Sequence, residues 1–207
     1  ATPDELDAIS QACLPTAGAC AGQFTANTMG MVSEALGLAP IGSSMVPAVF
    51  SERAPLMRRA GKQLMKAVMG EAPLPRDVVT RQALENACAV VSATGGSTNA
   101  ALHIPAIAHE AGIKFHLDDV AEVFARTPLI ADLRPGGKYL ARDVYYIGGA
   151  AVVLRELLRS GHLHGDVLTW TGRTLAQEIA ERLSVDLGLQ NLEHELAAKV
   201  ADKMHVS

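Results

Sequence analysis

The sequence predicts a mainly α-helical chain with about eight helices and one or two short strands, and two observations support this fold class. Most segments between glycine- and proline-rich breaks repeat their apolar residues every three or four positions, which is the spacing of one helix face. Only one stretch, PLIADL at residues 128–133, resembles a strand bounded by turn residues. So few strands exclude a complete doubly wound sheet.

The helices can be placed from their start and stop signals. The first covers residues 3–11, where Thr2 can cap the helix, Pro3 suits its first position and acidic residues follow at the positive end of the dipole. Gly37 and Gly112 are suited to end two later helices. The other predicted helices cover residues 25–36, 52–69, 80–93, 100–111, 118–126, 143–159, 171–183 and 191–204.

Three of these helices carry further expectations. The helix over residues 80–93 consists mostly of small apolar residues, so we expect it to be buried on several sides. The helix over residues 52–69 is expected to place Leu56, Leu64 and Val68 on its apolar face. The helix over residues 143–159 is expected to continue through its internal glycine pair, Gly148 and Gly149.

Composition and charge limit the classes of function. With 207 residues, of which 49% are hydrophobic and 19% charged, the chain can bury a substantial core. Its net charge of −4 argues against a general nucleic-acid binder, and no apolar run reaches the roughly 18 residues of a membrane span. Three cysteines, an odd and small number, favour a reducing, cytoplasmic setting. The chain begins with Ala1 and enters a helix at once, so we expect a fragment of a longer protein.

The segment CLPTAGACAGQFTANTMG, residues 13–30, contains two of the three cysteines. The spacing of Cys13 and Cys20 is not that of a C-x2-C zinc or redox motif. Cys20 has small neighbours and precedes a helix start, whose free N–H groups favour the thiolate that binds a metal or an iron–sulfur cluster. Two alternatives for Cys20 stay open. One is a buried apolar residue, and the other is a nucleophile, which would need a nearby base. A cluster ligand would in turn need about three partner ligands. Cys88 lies on an apolar helical face and is expected in the core.

A second small-residue segment, ATGGSTNAALH at residues 93–103, precedes another predicted helix. Its glycine pair, Gly95 and Gly96, allows the backbone to approach a ligand closely, and the helix start suits a phosphate or carboxylate. The segment matches neither a Walker A loop nor a dinucleotide-binding motif. A simple helix break, with one of the three polar residues that follow as the cap, is the favoured interpretation.

The remaining candidates are interpreted as turns or caps. RPGGKY and YIGGA repeat the glycine pair and are interpreted as turns. His162 and His164 are two residues apart and therefore do not share a helix face, so an exposed turn is favoured over a metal site. Asp118 and Asp119 are interpreted as a charge pair at a helix N-terminus.

Several of these motifs, taken in order, resemble the dihydroxy-acid dehydratase family, which includes sugar-acid and phosphogluconate dehydratases. The resemblance covers about residues 5–180 and is carried by CLPTAGACAGQFTANTM, EALGL, GGSTNAALHIPAIAHEAGI, PLIADLRPGGKY and ELLRSGHLHGDVLTWTGRTLAQ. It implies a hydro-lyase of branched-chain amino-acid biosynthesis that converts a 2,3-dihydroxy acid to a 2-keto acid. It also implies an iron–sulfur cluster, 2Fe-2S or 4Fe-4S, and Mg2+. A sugar-acid dehydratase is the alternative within the family.

The resemblance assigns one site residue. Cys20 corresponds to the family's last cysteine ligand and is therefore the expected cofactor-binding residue and iron ligand. No catalytic residue is assigned, because the catalytic base, the other cluster ligands and the Mg2+ ligands correspond to segments outside this chain. The implied partners are a small dihydroxy or sugar acid as substrate and a second copy in a homodimer of the full-length protein.

The resemblance also implies a domain division. Residues 1–183 are expected to form the second half of the family's α/β N-terminal domain, and residues 184–207 a divergent helical tail. Such a piece is expected to be inactive alone. The alternative to an enzyme piece is a non-catalytic helical module that packs against a partner.

Overall fold

The computed structural model describes residues 1–13 and 21–184, and helices dominate both ranges, which confirms the predicted fold class. Within the same residues, β-structure is limited to two isolated bridges. The helices are α1 (Pro3–Cys13), α2 (Thr25–Ala35), α3 (Arg53–Val68), α4 (Pro75–Val78), α5 (Arg81–Ala93), α6 (Ala100–Glu110), α7 (Leu117–Arg126), α8 (Ala141–Tyr146), α9 (Ala150–Arg159) and α10 (175–184).

Helix α5 forms the centre of the fold and contacts α2, α6, α7 and α9. Its small apolar residues allow neighbours to pack on several sides, as the sequence predicts. The hydroxyl of Thr80 caps the helix by accepting a hydrogen bond from the backbone N–H of Ala83 at 3.2 Å. The buried residues of α5 are Ala83, Leu84, Asn86, Ala87, Cys88, Ala89, Val90, Val91 and Ala93.

Helix α3 lies on the outside, and the prediction of its apolar face is wrong for two of three residues. Leu56 is buried, but Leu64 and Val68 are 61% and 68% exposed. The physical reason is that α3 makes no extensive contact with any other helix among α1–α9. Its first turn is nevertheless fixed, because the guanidinium Nη1 of Arg53 donates to the carbonyl of Val46 at 2.8 Å.

The strand predicted over residues 128–133 does not form. Only Leu133 takes part in an isolated bridge, with Tyr139. The backbone N–H groups of Ile130 and Ala131 instead donate to one carbonyl, that of Ala93, at 2.8 and 2.9 Å. The segment packs on the end of α5, its last residues form a turn in which the N–H of Leu133 donates to the carbonyl of Ala131, and the described residues place no strand beside it.

The helix predicted over residues 143–159 is interrupted, and this prediction is also wrong. Two helices, α8 and α9, flank Gly148 and Gly149, whose φ angles are 113° and 72°. Glycine readily adopts these positive angles, which end a right-handed helix. Between the predicted helices over residues 52–69 and 80–93, the structure adds the short helix α4.

The N-terminal end of the chain is an exposed helix. Helix α1 starts with reciprocal hydrogen bonds between Thr2 and Glu5, and residues 3–11 are exposed. The helix predicted over residues 191–204, and the tail division at residue 184, lie outside the described residues. A search of the described helices finds none with the length and apolar character needed to cross a membrane.

Candidate functional site

The backbone that follows Cys20 is held at two points. Cys20 itself lies outside the described residues, but Ala21 and the residues after it are described. The carbonyl of Ala21 accepts a hydrogen bond from the backbone N–H of Ala141 at 2.8 Å, and the N–H of Gln23 donates to the carbonyl of Arg134 at 2.6 Å. The chain therefore leaves the Cys20 segment along a backbone fixed by residues 134–141.

The Arg134 side of this contact is a compact turn, as predicted for RPGGKY. The carbonyl of Asp132 accepts from the N–H groups of Lys138 and Tyr139 at 2.9 and 3.0 Å. A Cβ at Gly137 would overlap Asp132, so the turn requires glycine at that position. Gly137 thus shapes the turn that holds the backbone after Cys20, whereas a Cβ at Gly136 would meet nothing within 4 Å.

The two glycine- and threonine-rich motifs meet in the structure. The hydroxyl of Thr25, at the start of α2, lies 3.2 Å from that of Ser97 and accepts from the Nδ2 of Asn99 at 2.8 Å. The backbone N–H of Ser97 donates to the hydroxyl of Thr28 at 3.0 Å. Residues 72 positions apart in sequence therefore join the N-terminal turns of α2 and α6.

Close packing at this junction depends on Gly96. A Cβ there would lie 2.9 Å from the Cγ2 of Thr28 and 3.1 Å from the Cγ1 of Val91. The predicted close approach of the GGSTN backbone is therefore present, but the partner is helix α2. The prediction that the segment is a helix break is confirmed, although Asn99, at the cap position, makes no side-chain capping bond.

Two buried polar side chains connect α2 to its surroundings, and the sequence interpretation missed both. The Nε2 of Gln23 donates to the hydroxyl of Thr94 at 3.2 Å, which connects the start of α2 to the end of α5. Glu34 is fully buried and accepts from the backbone N–H groups of Gly42 and Ser44, each at 2.7 Å. For Glu34, the sequence did contain an indication, because a charged residue lies among the apolar residues of α2.

The environment of Glu34 works in two directions. Burial raises the pKa of its carboxyl above the ordinary range, and the hydrogen bonds from residues 42 and 44 oppose this shift by favouring the carboxylate. The carboxylate fixes the loop after α2 against the helix. Gly30 allows the same approach, because a Cβ there would lie 2.7 Å from the Cβ of Ser44.

A cleft of about 490 Å³ opens beside this loop and reaches Ala21. Two of the described residues that line it are cationic, Arg53 and Arg142, and none of them is acidic. Its neutral walls combine polar and apolar side chains. These residues are Ala21, Ala26, Asn27, Gly30, Ser43, Ser44, Met45, Val46, Pro47, Ala48, Val49, Phe50, Ala141 and Tyr146.

The other cysteine and histidine candidates have structural roles. Cys88 is buried in the core as predicted, and burial raises the pKa of its thiol to about 12, which keeps it protonated. The Nδ1 of His162 lies 3.0 Å from the hydroxyl of Ser160. The Nε2 of His164 lies 2.9 Å from a carboxylate oxygen of Glu85, so the two histidines have different partners.

Asp118 and Asp119 lie in the first turn of α7, in agreement with their interpretation as a charge pair at a helix N-terminus. The Oδ2 of Asp119 accepts from the backbone N–H of His116 at 2.6 Å. Its Oδ1 accepts from the Nη2 of Arg81 at 2.6 Å. The backbone hydrogen bond, followed by that from Arg81, lowers the pKa of Asp119.

The described residues do not provide a ligand set for a metal or cluster. Among residues 1–13 and 21–184, no group of three or more His, Cys, Asp or Glu side chains is placed to hold a metal ion. A cluster bound through Cys20 would therefore need its other ligands from outside the described part of the chain.

Comparison with known proteins gives a consistent result. A family model described as the dihydroxy-acid/6-phosphogluconate dehydratase N-terminal domain matches residues 1–178. Dihydroxy-acid dehydratase 2 of Bordetella bronchiseptica is 64% identical over 182 residues, covering 88% of this chain and 32% of that protein. Dihydroxy-acid dehydratase 3 of Bradyrhizobium diazoefficiens is 67% identical over 173 residues, covering 84% of this chain and 30% of that protein.

More distant relatives carry the same description. The dihydroxy-acid dehydratase of Metallosphaera sedula is 47% identical over 180 residues, or 87% of this chain. The chain spans about a third of the length of the curated relatives it matches, 30 to 32% in these three.

Proposed function

The chain belongs to the dihydroxy-acid/6-phosphogluconate dehydratase N-terminal family, and from that premise we propose that it is part of a hydro-lyase acting on a 2,3-dihydroxy acid. The reaction is loss of water to give a 2-keto acid, in branched-chain amino-acid biosynthesis. The observation that carries this proposal is the junction of three motifs, at residues 21–28, 95–99 and 134–141, directly after Cys20. A ligand-binding site is expected to bring together motifs that are distant in sequence, whereas a simple turn needs only neighbouring residues.

Cys20 is proposed as one ligand of an iron–sulfur cluster. When bound, such a cluster supplies a Lewis-acidic iron for a departing hydroxyl group. This chain's own contribution is to hold the backbone after the ligand, through the hydrogen bonds at Ala21 and Gln23. The other cluster ligands, the Mg2+ ligands and the catalytic base are proposed to come from outside this chain, so residues 1–207 alone are expected to be inactive.

The proposal includes a domain assignment and an assembly. Residues 1–183 are proposed to correspond to the second half of the N-terminal domain, and residues 184–207 to a divergent tail of the sequence. The complete enzyme is proposed to be a cytoplasmic homodimer.

The test is a chimeric enzyme. Residues 1–178 replace the matching segment of the Bordetella bronchiseptica relative, and formation of 2-keto acid is measured with 2,3-dihydroxyisovalerate, gluconate and 6-phosphogluconate. We expect turnover of dihydroxyisovalerate, together with the visible absorption of an iron–sulfur cluster. Turnover of gluconate or 6-phosphogluconate alone would establish the sugar-acid alternative.

A matched pair of cysteine variants tests the ligand. Cys20→Ser is expected to remove the cluster absorption and the activity of the chimera. Cys88→Ala is the control, because Cys88 is buried in the core, away from any proposed ligand role. Retention of the full cluster spectrum in the Cys20→Ser chimera would contradict the assignment.

A further inference from the structure

We propose that the C-terminal segment, residues 185–207, docks as an amphipathic helix on one side of the outer helix α3. This side, the basic flank, consists of Arg59, Lys62, Met65, Lys66 and Met69. The docking is independent of the proposed function, because the family match ends at residue 178 and does not reach the segment. Three features support it: the exposed charge of the flank, the place where α10 ends, and the sequence of the segment.

The basic flank is a continuous, exposed side of α3. Its members recur at spacings of three and four residues, which places them on one side of a helix. All five are exposed, and the exposed fractions of Met65 and Met69 are 54% and 69%. Helix α3 contains five cationic residues and no acidic one. The flank therefore presents both apolar side chains and positive charge.

The described residues do not neutralise this charge. Within residues 1–13 and 21–184, none of the three cations of the flank forms an ion pair. Glu178 and Glu181 of α10 line the same groove as Arg59, but both are engaged elsewhere. Glu181 forms an ion pair with Arg173, and the Oε1 of Glu178 lies 3.7 Å from the Nε of Arg173. The flank can therefore attract a further acidic segment.

Helix α10 ends beside the basic flank. A groove of about 380 Å³ is lined by Arg59 of α3 and by Glu181 and Arg182 in the last turn of α10. The Nε2 of Gln63 donates to the carbonyl of Trp170 at 3.1 Å, which fixes α3 to the residues that lead into α10. The C-terminal segment therefore leaves the described fold next to α3.

The sequence of the C-terminal segment matches the flank in charge and in apolar pattern. Of its residues, four are acidic and two are lysine. In a helix, Leu189, Leu196 and Val200 would share one side, since they are spaced by seven and four residues. Glu193 falls on the same side, and a carboxylate within an apolar stripe is costly to cover unless a cation pairs with it. The flank supplies such cations beside its methionines.

The C-terminal segment is also long enough to reach and cover the flank. Residues 185–190 can extend over about 20 Å, and the helix predicted over residues 191–204 would be about 21 Å long. The flank itself spans about 15 Å along α3. Because both elements belong to one chain, weak attractions are sufficient for docking. Gly61 and Leu64 lie on another side of α3 and stay exposed in this arrangement.

The test is hydrogen–deuterium exchange of the 207-residue chain, measured by mass spectrometry. In wild type, the backbone N–H groups of residues 191–204 are expected to exchange at least about tenfold more slowly than in an unstructured peptide. Lys62→Glu with Lys66→Glu is expected to remove this protection, because two attractions become repulsions. Adding Glu193→Lys and Glu195→Lys restores opposite charges and is expected to restore slow exchange.

Two matched controls accompany these variants. Lys114→Glu with Lys138→Glu makes the same change of net charge at exposed lysines outside the flank and is expected to leave the exchange of residues 191–204 unchanged. Met65→Ala is expected to speed this exchange about threefold through lost apolar contact. Met57→Ala, in a methionine of similar exposure on the Gly61 side of α3, is expected to have no effect.

Several outcomes would overturn the docking. One is rapid exchange of residues 191–204 in a wild-type chain whose circular dichroism shows that it is folded. Another is an equal loss of protection in the lysine control, and a third is failure of the exchanged charges to restore slow exchange. Protection that increases with protein concentration would place the segment on a second copy and would also overturn the intramolecular contact.

Discussion

The inner helices α2 and α5 and the outer helix α3 show how differently two apolar sequence patterns can be used. Helix α5 buries nine residues and contacts four other helices. Helix α3 is longer, with 16 residues, yet only Leu56 is buried. Periodicity identifies both as helices, but only packing against a neighbour converts an apolar face into stability. The side chains of α3 are therefore expected to contribute little to the stability of this chain.

The largest expected difference is between two leucines. Leu84 of α5 is 0% exposed, and Leu84→Ala is expected to lower the free energy of unfolding by about 2–5 kcal/mol, through lost burial and a cavity. Leu64→Ala in α3 removes the same atoms from a side chain 61% exposed and is expected to change stability by less than about 0.5 kcal/mol. Urea unfolding followed by circular dichroism measures both. Similar losses would mean that α3 is covered in solution.

The next effect concerns the glycine that joins α5 to the start of α6. Gly96→Ala would place a methyl group 2.9 Å from Thr28, so either α2 or the GGSTN segment must move. We expect a loss of about 1–3 kcal/mol, typical of overpacking. The fluorescence of Trp170, the chain's one tryptophan, can follow unfolding independently of circular dichroism. A neutral or stabilising result would show that the motif junction is looser than the contacts indicate.

A third prediction concerns the buried carboxylate of α2. Glu34→Gln replaces one oxygen that accepts a backbone N–H with an NH2 group, which cannot accept, so a loss of about 1–3 kcal/mol is expected. Denaturant unfolding of both proteins at the same pH measures this loss. An unchanged free energy of unfolding would indicate that water replaces the lost acceptor.

The same side chain predicts a pH dependence. Because burial raises the pKa of folded Glu34 above its unfolded value of about 4.3, folded protein binds more protons than unfolded protein between the two values. The contribution of Glu34 to stability is therefore fully present below the unfolded pKa and is lost as pH rises through the folded pKa. The difference in stability between wild type and Glu34→Gln is expected to decrease over that interval. An increase over the same interval would mean that its hydrogen bonds outweigh burial.

A small effect of the opposite sign is expected in α3. Gly61 lies within the helix, and a Cβ there would meet nothing within 4 Å. Gly61→Ala is therefore expected to stabilise the chain by about 0.4–1 kcal/mol, because the unfolded backbone loses freedom. The measurement is the melting temperature, which is expected to rise slightly in Gly61→Ala and to fall in Gly96→Ala. The same glycine-to-alanine change would then have opposite effects in outer helix α3 and at the packed end of α5.

The sequence was informative where local rules decide the structure. The helix predicted over residues 80–93 forms as α5, and Gly37, predicted to end a helix, follows the end of α2 with φ of 80°. The extended segment at residues 128–133 has local features of a strand, but its hydrogen bonds go to Ala93 at the end of α5, a partner that periodicity cannot identify. Likewise, no local pattern indicates that Leu64 of α3 remains exposed.

In the candidate site, too, the motifs could be recognised from the sequence, whereas the contacts between them could not. The motifs around Thr25 and Ser97 could each be recognised, but their contact spans 72 residues and depends on how α2 packs against α5 and α6. Glu34 was missed because its partners are backbone N–H groups of a loop, which have no side-chain signature. Arg142 has no signal in the sequence, because it lines the cleft only when α8 lies across from the loop after α2.

The two hydrogen bonds that hold the chain after Cys20 have a consequence for how freely this region can diverge. Both join main-chain atoms, from Gln23 to Arg134 and from Ala141 to Ala21, so most changes of side chain leave them intact. Proline is the exception at the two donor positions, since it has no N–H to give. Homologous segments can therefore be exchanged here while both bonds persist, provided that neither donor becomes proline and that glycine is kept at positions 22 and 137, where a Cβ would meet the backbone of Arg134 or Asp132.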